Sequence, residues 1–206
     1  MKSYLLSIAF VLLSLGCSKK ENETQYVNDI KEHRYNMNVK FSNKETTILS
    51  GQDFETFKAL DFFPIDTMYK IKARFVRTPN EIIDLFATST DRKQPMLKYG
   101  EAYFSLKGKE LKLNIYQTEG IGDEYVNYLF IPFMDATSGH ETYGGGRYIN
   151  TRAPKNNILL IDFNKAFNPP CAYNYNYSCV IPPKENRLPI AIEAGIKNYT
   201  NSGNKK

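Results

Sequence analysis

The segment from Ala102 to Tyr116 constrains the fold more than any other. Ala102-Tyr-Phe-Ser-Leu106 and Leu111-Lys-Leu113-Asn-Ile115-Tyr116 flank Lys107-Gly108-Lys109-Glu110. Apolar residues recur at alternate positions in both runs, and extended backbone places such positions on one face. Gly108 supplies the turn, so two antiparallel strands joined as a hairpin are predicted. Tyr69-Lys-Ile71-Lys-Ala73-Arg-Phe75-Val76 alternates in the same way and reads as a half-buried strand, followed by Leu97-Lys-Tyr99. Tyr128 to Phe133 and Ile158 to Phe163 are apolar enough for central strands, with Pro132 marking a bulge or strand end. A last strand is expected over Arg187 to Glu193.

Helical signals are confined to the first third of the chain. Tyr26, Val27, Ile30 and Met37 suit a surface helix from Tyr26 to about Lys40. Ser50-Gly51-Gln52-Asp53 reads as a turn, with Asp53 capping a short helix from Phe54 to Leu60. Phe62-Phe63-Pro64 ends it. Strands outnumber helices, and no alternation of strand and helix appears. The expected class is therefore mainly β (α+β): an antiparallel barrel-like or sandwich sheet with short N-terminal helices packed on it. One globular domain is expected over residues 26–199, with a disordered tail over 200–206.

The N-terminus has a different character. Lys2 precedes an apolar run from Tyr4 to Leu15, which ends in Ser14-Leu15-Gly16-Cys17. A basic start and a short apolar core are the pattern of a secretory signal, too short to span a bilayer. A small residue before cysteine resembles the lipobox of bacterial lipoproteins, with Ser14 departing from the usual Leu. On this reading residues 1–16 are removed and Cys17 carries the lipid, palmitate included. The membrane is then a partner through that lipid, and the location is the cell envelope. Multiple acyl chains hold firmly where one does not. Ser18 to Gln25 is polar and reads as a flexible tether.

The formal charge is +5, and loss of Lys2 lowers it to +4. Basic residues are scattered rather than striped, which argues against nucleic acid. With Cys17 lipidated, Cys171 and Cys179 remain. An even count in an oxidising compartment favours a disulfide, with a pair of free thiols as the alternative.

Between Pro132 and Pro189 the chain carries a dense set of motifs. They are Glu141-Thr142-Tyr143, Gly146-Arg147-Tyr148, Asp162-Phe163-Asn164, Asn168-Pro169-Pro170-Cys171-Ala172-Tyr173, Cys179, Pro182-Pro183 and Asn186-Arg187-Leu188-Pro189. Together with Phe62-Phe63-Pro64-Ile65-Asp66, Tyr69 and Lys98-Tyr99-Gly100, they resemble the family known as domain of unknown function 1684. The resemblance spans roughly Phe41 to Lys197. Val180-Ile181 stands where a proline is more usual after the second cysteine. The resemblance implies an architecture and a region of interest; it supplies no reaction.

Read as chemistry, Gly144-Gly145-Gly146 is able to form an anion-binding nest, with Arg147 beside it as a bidentate clamp. Tyr143 and Tyr148 are candidates to stack on a sugar-like ring. Asn164 and Asn168 are candidate pocket residues, and Asn186 is a weaker one. The competing reading is a structural turn, with Arg147 paired to Glu141 or Asp162. Glu141 and Asp162 form a candidate acid/base pair. His140 is a candidate base, including for a Cys171 nucleophile. Two histidines and two cysteines make a poor zinc set, so no metal and no cofactor are expected. Binding of a small anionic or sugar-like ligand at Glu141–Tyr148 and Asp162–Cys171 ranks first. A hydrolase of envelope material acting through Glu141, Asp162 or His140, and an assembly protein binding another envelope protein, are the alternatives.

Overall fold

The computed structural model of the chain describes residues 2–79, 83–118, 127–154 and 156–199, with side chains from Glu21 onwards. Seven strands form one sheet: β1 Lys70–Arg77, β2 Ile83–Ala87, β3 Lys93–Leu106, β4 Lys109–Thr118, β5 Tyr128–Phe133, β6 Arg147–Arg152 and β7 Ile158–Asp162. The order is β6-β5-β4-β3-β1-β7, with β2 beside the first part of β3, and the strand pairings are antiparallel. The two ends of this order approach each other. The Thr151 hydroxyl of β6 donates to the Leu160 carbonyl of β7 at 2.9 Å. The sheet is therefore a nearly closed barrel, not a sandwich.

The hairpin forms where the alternation predicts it. β3 and β4 pair from Leu106↔Lys109 to Met96↔Thr118. Lys107 and Gly108 both take positive φ, 50° and 71°, the turn whose twist matches the strands. The register shifts between Lys98 and Gly100. A Cβ on Gly100 would lie 2.5 Å from the Val76 carbonyl oxygen, so glycine allows β1 to lie this close.

The inner face carries Ile71, Ala73 and Phe75 of β1, Leu113 and Ile115 of β4, and Leu129 and Ile131 of β5. Leu188, Ile190, Ile192 and Ala194 join the same core. The expected strand over Arg187–Glu193 is corrected here. That segment is an irregular strap, tied by Leu188 N–H to the Met134 carbonyl (2.8 Å) and by Ala136 N–H to the Ile190 carbonyl (3.0 Å). Pro189 removes a backbone donor from any regular ladder there. Two strands escape the sequence reading, β2 and β6, the latter in the segment read as a glycine-arginine loop.

α1 runs from Lys2 to Ser42. Tyr26, Ile30 and Phe41 are buried at helical spacing, as the pattern predicts. Polar contacts pin this helix: Arg34 donates to the Phe63 carbonyl at 2.9 Å, and Asn38 accepts from Leu60 N–H at 2.7 Å. Ser18–Gln25, expected as a flexible tether, lies within the helix, and Glu21 to Gln25 are all exposed. The second helix, α2, spans Gln52–Thr56. Its cap is Gly51 at φ 53°, and Asp53 sits in the first turn without capping it. The Cys17 side chain and the 200–206 tail lie outside the described residues.

Candidate functional site

Arg147 opens β6 and points inward, where it is completely buried. Its guanidinium donates to Asp135 Oδ2 at 2.9 Å and to the carbonyls of Ile192 (2.8 Å), Ala194 (2.5 Å) and Ile196 (3.2 Å). Asp135 Oδ1 accepts from Thr137 N–H and hydroxyl, at 2.8 and 2.6 Å, and from Ile192 N–H at 3.2 Å. The ion pair is thus with Asp135, not with Glu141 or Asp162. It fastens the C-terminal strap to the sheet and presents no charge to a ligand. The end of the glycine loop is tightly packed: a Cβ on Gly146, at φ 87°, would meet the Phe133 carbonyl and the Pro182 ring at 2.7 Å.

Asp162 and Asn164 form a second, separate polar cluster. Asp162 Oδ1 accepts from Tyr26 hydroxyl at 2.8 Å, and Asn164 Nδ2 donates to Tyr26 hydroxyl at 3.0 Å and to the Asp66 carbonyl at 2.8 Å. This cluster staples α1 to the barrel. Desolvation, reinforced by the Asp162 carboxylate, pushes the Tyr26 phenol well up. Glu141 and His140 are both exposed. The Asp162 carboxylate is taken up by Tyr26 and by Asn164 N–H, and no hydrogen bond joins it to Glu141 or His140. Tyr148 is buried, donating to the Val180 carbonyl at 2.5 Å, and Asn168 Nδ2 donates to the Lys197 carbonyl at 2.9 Å.

Cys171 and Cys179 are both buried and free, which corrects the expected disulfide. The Cys179 sulfur is turned towards the main chain of Cys171, accepting its N–H at 3.0 Å. Tyr143 hydroxyl donates to Cys171 Sγ at 3.7 Å. Hydrogen bonds from Cys179, then Tyr143 and Ser89, outweigh burial and hold the Cys171 thiol down at about 6, while the hydrogen bond to Cys171 and burial push the Cys179 thiol up. Because the folded value lies below the unfolded thiol range of about 8.5, ionised Cys171 favours the folded state. That contribution is full above the unfolded value and is lost as pH falls towards 6. Urea midpoints of wild type should therefore rise between pH 6 and 8 more steeply than those of Cys171→Ser. Parallel pH profiles would show that Cys171 is not ionised in this range.

The cysteine segment also covers part of the outer face of the sheet. Ile181 N–H donates to the Ala87 carbonyl and Ser89 N–H to the Cys179 carbonyl, extending the end of β2. Beneath it Phe86, Met96 and Tyr116 form a small outer cluster, flanked by Phe130 and Val180. A cavity of about 410 Å³ opens beside this cluster. Its walls include the rings of Tyr128 and Phe130 and the polar side chains of Gln94, Thr118 and Asn150. Register explains the gathering: Phe130 faces Asn150 and Tyr116, and Thr118 faces Met96. Arg92 holds the Gln94 amide oxygen, and Arg152 stacks 3.5 Å over the Tyr128 ring. Among the described residues lining this cavity, none carries a carboxylate, an ammonium, a guanidinium or an imidazole.

The sequence reading missed these cavity residues. The available signal was in β5, whose Tyr128 and Phe130 are aromatic on the face opposite Leu129 and Ile131. A strand apolar on both faces needs cover on both, and no helix in the sequence was placed to cover the outer one.

A family model described as "Protein of unknown function (DUF1684)" matches residues 55–197. The chain belongs to the DUF1684 family. An uncharacterized protein of Haloarcula marismortui, solved by solution NMR, is similar in structure at a TM-score of 0.67 and 25% identity, over 86% of this chain and 96% of that one. A search of curated proteins gives no match. The DUF1684 match places the strap, the Arg147 cluster and the cysteine segment inside one family domain.

Proposed function

We propose that this DUF1684 protein is a binding domain of the bacterial cell envelope, held to a membrane by acyl chains on Cys17, that takes a small neutral sugar-like molecule. The single observation that supports it is the outer-face cavity of about 410 Å³, with aromatic rings and amide side chains in its walls. That volume lies in the usual range for ligand pockets, roughly 300–1,000 Å³. A sugar ring offers apolar C–H faces to Tyr128 and Phe130, while its hydroxyls both donate to and accept from Asn150 and Thr118. The anionic variant of this reading loses its support, because the Arg147 guanidinium is spent on Asp135 and three carbonyls. The hydrolase reading has less to support it, because the Asp162 carboxylate is already taken up by Tyr26 and Asn164 N–H. Lys2, the apolar run and Gly16-Cys17 support the anchor.

The test is calorimetric titration of the full chain in detergent with neutral mono- and disaccharides, and with their uronates. A neutral sugar should bind, and Asn150→Ala should weaken it at least about tenfold without lowering the melting temperature, since Asn150 is exposed on β6. Ligand at 100 times its Kd should raise wild-type stability by about 2.7 kcal/mol. Binding of uronates alone, or equal binding by Asn150→Ala, would sink the reading. The exposed Tyr175, Tyr177 and Ile181 favour a second reading, an assembly partner. A defined partner captured by wild type and lost in Tyr175→Ser would support that alternative.

A further inference from the structure

β1 and β7 turn to solvent a face that is both basic and apolar. Ile158 is 58% exposed and Leu160 45%, while Leu159 and Ile161 between and beside them are completely buried. Register sets Arg74 opposite Ile158 and Lys72 opposite Leu160, and all four side chains are exposed. On the other flank, Arg152 of β6 and Lys165, just past β7, are exposed and border the same hollow of about 320 Å³ as Ile158 and Leu160. Two aliphatic side chains thus lie between two pairs of cations. The carboxylate in this row is Asp162, opposite Lys70; it is buried and taken up by Tyr26 and Asn164 N–H. Cations scattered along the sequence gather here because β6 and β7 approach each other where the barrel nearly closes.

The same row holds the root of the N-terminal helix. Tyr26 donates to Asp162, and the Lys70 ammonium lies 4.1 Å over its ring. Cys17 precedes Tyr26 in α1, about 14 Å away at the helical rise. Ile158 lies two outward steps along β7 from Asp162, about 13 Å at the strand rise. Acyl chains on Cys17 therefore enter a bilayer within reach of this face.

We infer that this face docks on a bilayer surface that carries anionic lipid. Ile158 and Leu160 enter the boundary between headgroups and acyl chains, and Lys72, Arg74, Arg152 and Lys165 meet the lipid phosphates. An aliphatic patch rimmed by cations matches both layers of such an interface. Each cation near an anionic surface favours the bound arrangement by about fivefold. The acyl chains keep the domain at the membrane; the face decides which way it points. The inference rests on the anchored half of the proposed function and not on the sugar.

The experiment uses the full acylated chain, purified from bacterial membranes, in phosphatidylcholine bilayers with and without phosphatidylglycerol. Flotation with vesicles reads the anchor. Nanodiscs of the same lipids, doped with a gadolinium-chelating headgroup, read orientation through broadening of isoleucine methyl signals. With phosphatidylglycerol present, Ile158 should broaden more than Ile181, which is 44% exposed on the cysteine segment. Lys72→Glu combined with Lys165→Glu should lose that excess, since two lost cations weaken the bias by about 25-fold. Both positions are exposed, so the variant should melt with wild type. Equal broadening of Ile158 and Ile181 in a chain that floats would overturn the inference and leave the anchor standing. That is also the result if the face meets an acidic protein instead. An excess untouched by the double variant would overturn it too. Flotation only with phosphatidylglycerol, with the Ile158 excess intact, would sink the anchor and keep the docking face. No flotation with either lipid would sink both.

Discussion

Replacing Arg147 with alanine should lower the stability of the domain by about 3–5 kcal/mol, the range for breaking one side of a buried ion pair. The loss has two parts. Asp135, with 1% of its side chain exposed, keeps its carboxylate without its cation. The carbonyls of Ile192, Ala194 and Ile196 lose the donor that gathers them. Arg147→Lys should recover only part of the loss, since one ammonium cannot reproduce a planar fork that spans a carboxylate and three carbonyls. Glu141→Ala, six residues earlier and exposed, is the control and should fall within about 0.5 kcal/mol of wild type. Urea unfolding of the four proteins measures this. An Arg147→Ala loss below about 1 kcal/mol would mean the guanidinium is worth no more than a surface pair.

The second large effect is expected at Asn186. Its side chain is completely buried and makes three hydrogen bonds to backbone. Oδ1 accepts from Asn114 N–H at 2.7 Å, and Nδ2 donates to the carbonyls of Asn114 (2.9 Å) and Pro132 (2.8 Å). The reason lies in β5. Tyr148, opposite Pro132, exchanges both its backbone bonds with Phe167, so Pro132 turns its own backbone towards β4. Proline has no N–H to give there, and among the described residues Tyr116↔Phe130 is the one register pair that joins β4 to β5. The Asn186 carboxamide fills the resulting gap as a substitute for ladder bonds. Asn186→Ala orphans three buried backbone groups at about 1–3 kcal/mol each, so a loss of about 3 kcal/mol or more is expected. Asn186→Asp should fare no better, because it keeps the acceptor and loses both donations. Hydrogen exchange at Asn114 N–H provides a local check, since it should speed up in either variant if the carboxamide is its protection.

What was legible in the sequence was what period and turn chemistry can carry. The β3–β4 hairpin, β1 and the helical face through Tyr26 and Ile30 follow from local spacing alone. Arg147 was singled out for its company of glycines and tyrosines, and the same company placed it wrongly in a loop. Its role depends on Asp135, 12 residues away, and on a strap 45 to 49 residues away. No local pattern encodes those partners. Asp162 shows the same effect: its partner, Tyr26, is 136 residues distant. The outer-face cavity was missed because its lining comes from four strands and Val180, each contributing only one to three residues. The cysteine pair was misread for a different reason. Composition and compartment speak to whether a bond is permitted, and only geometry fixes where each sulfur points.

The strap has a consequence for timing. Leu188, Ile190, Ile192 and Ala194 belong to the same core as β1 and β4, and Arg147 has no other acceptors for most of its donors. A growing chain that has produced all seven strands still has an open core, and Arg147 has Asp135 but none of the three strap carbonyls. The sheet cannot close productively until residues 188–196 are released, so folding is a late event that involves nearly the whole domain at once. Contacts so distant in sequence are slow to form. A chain built this way completes its core only when residues 188–196 arrive.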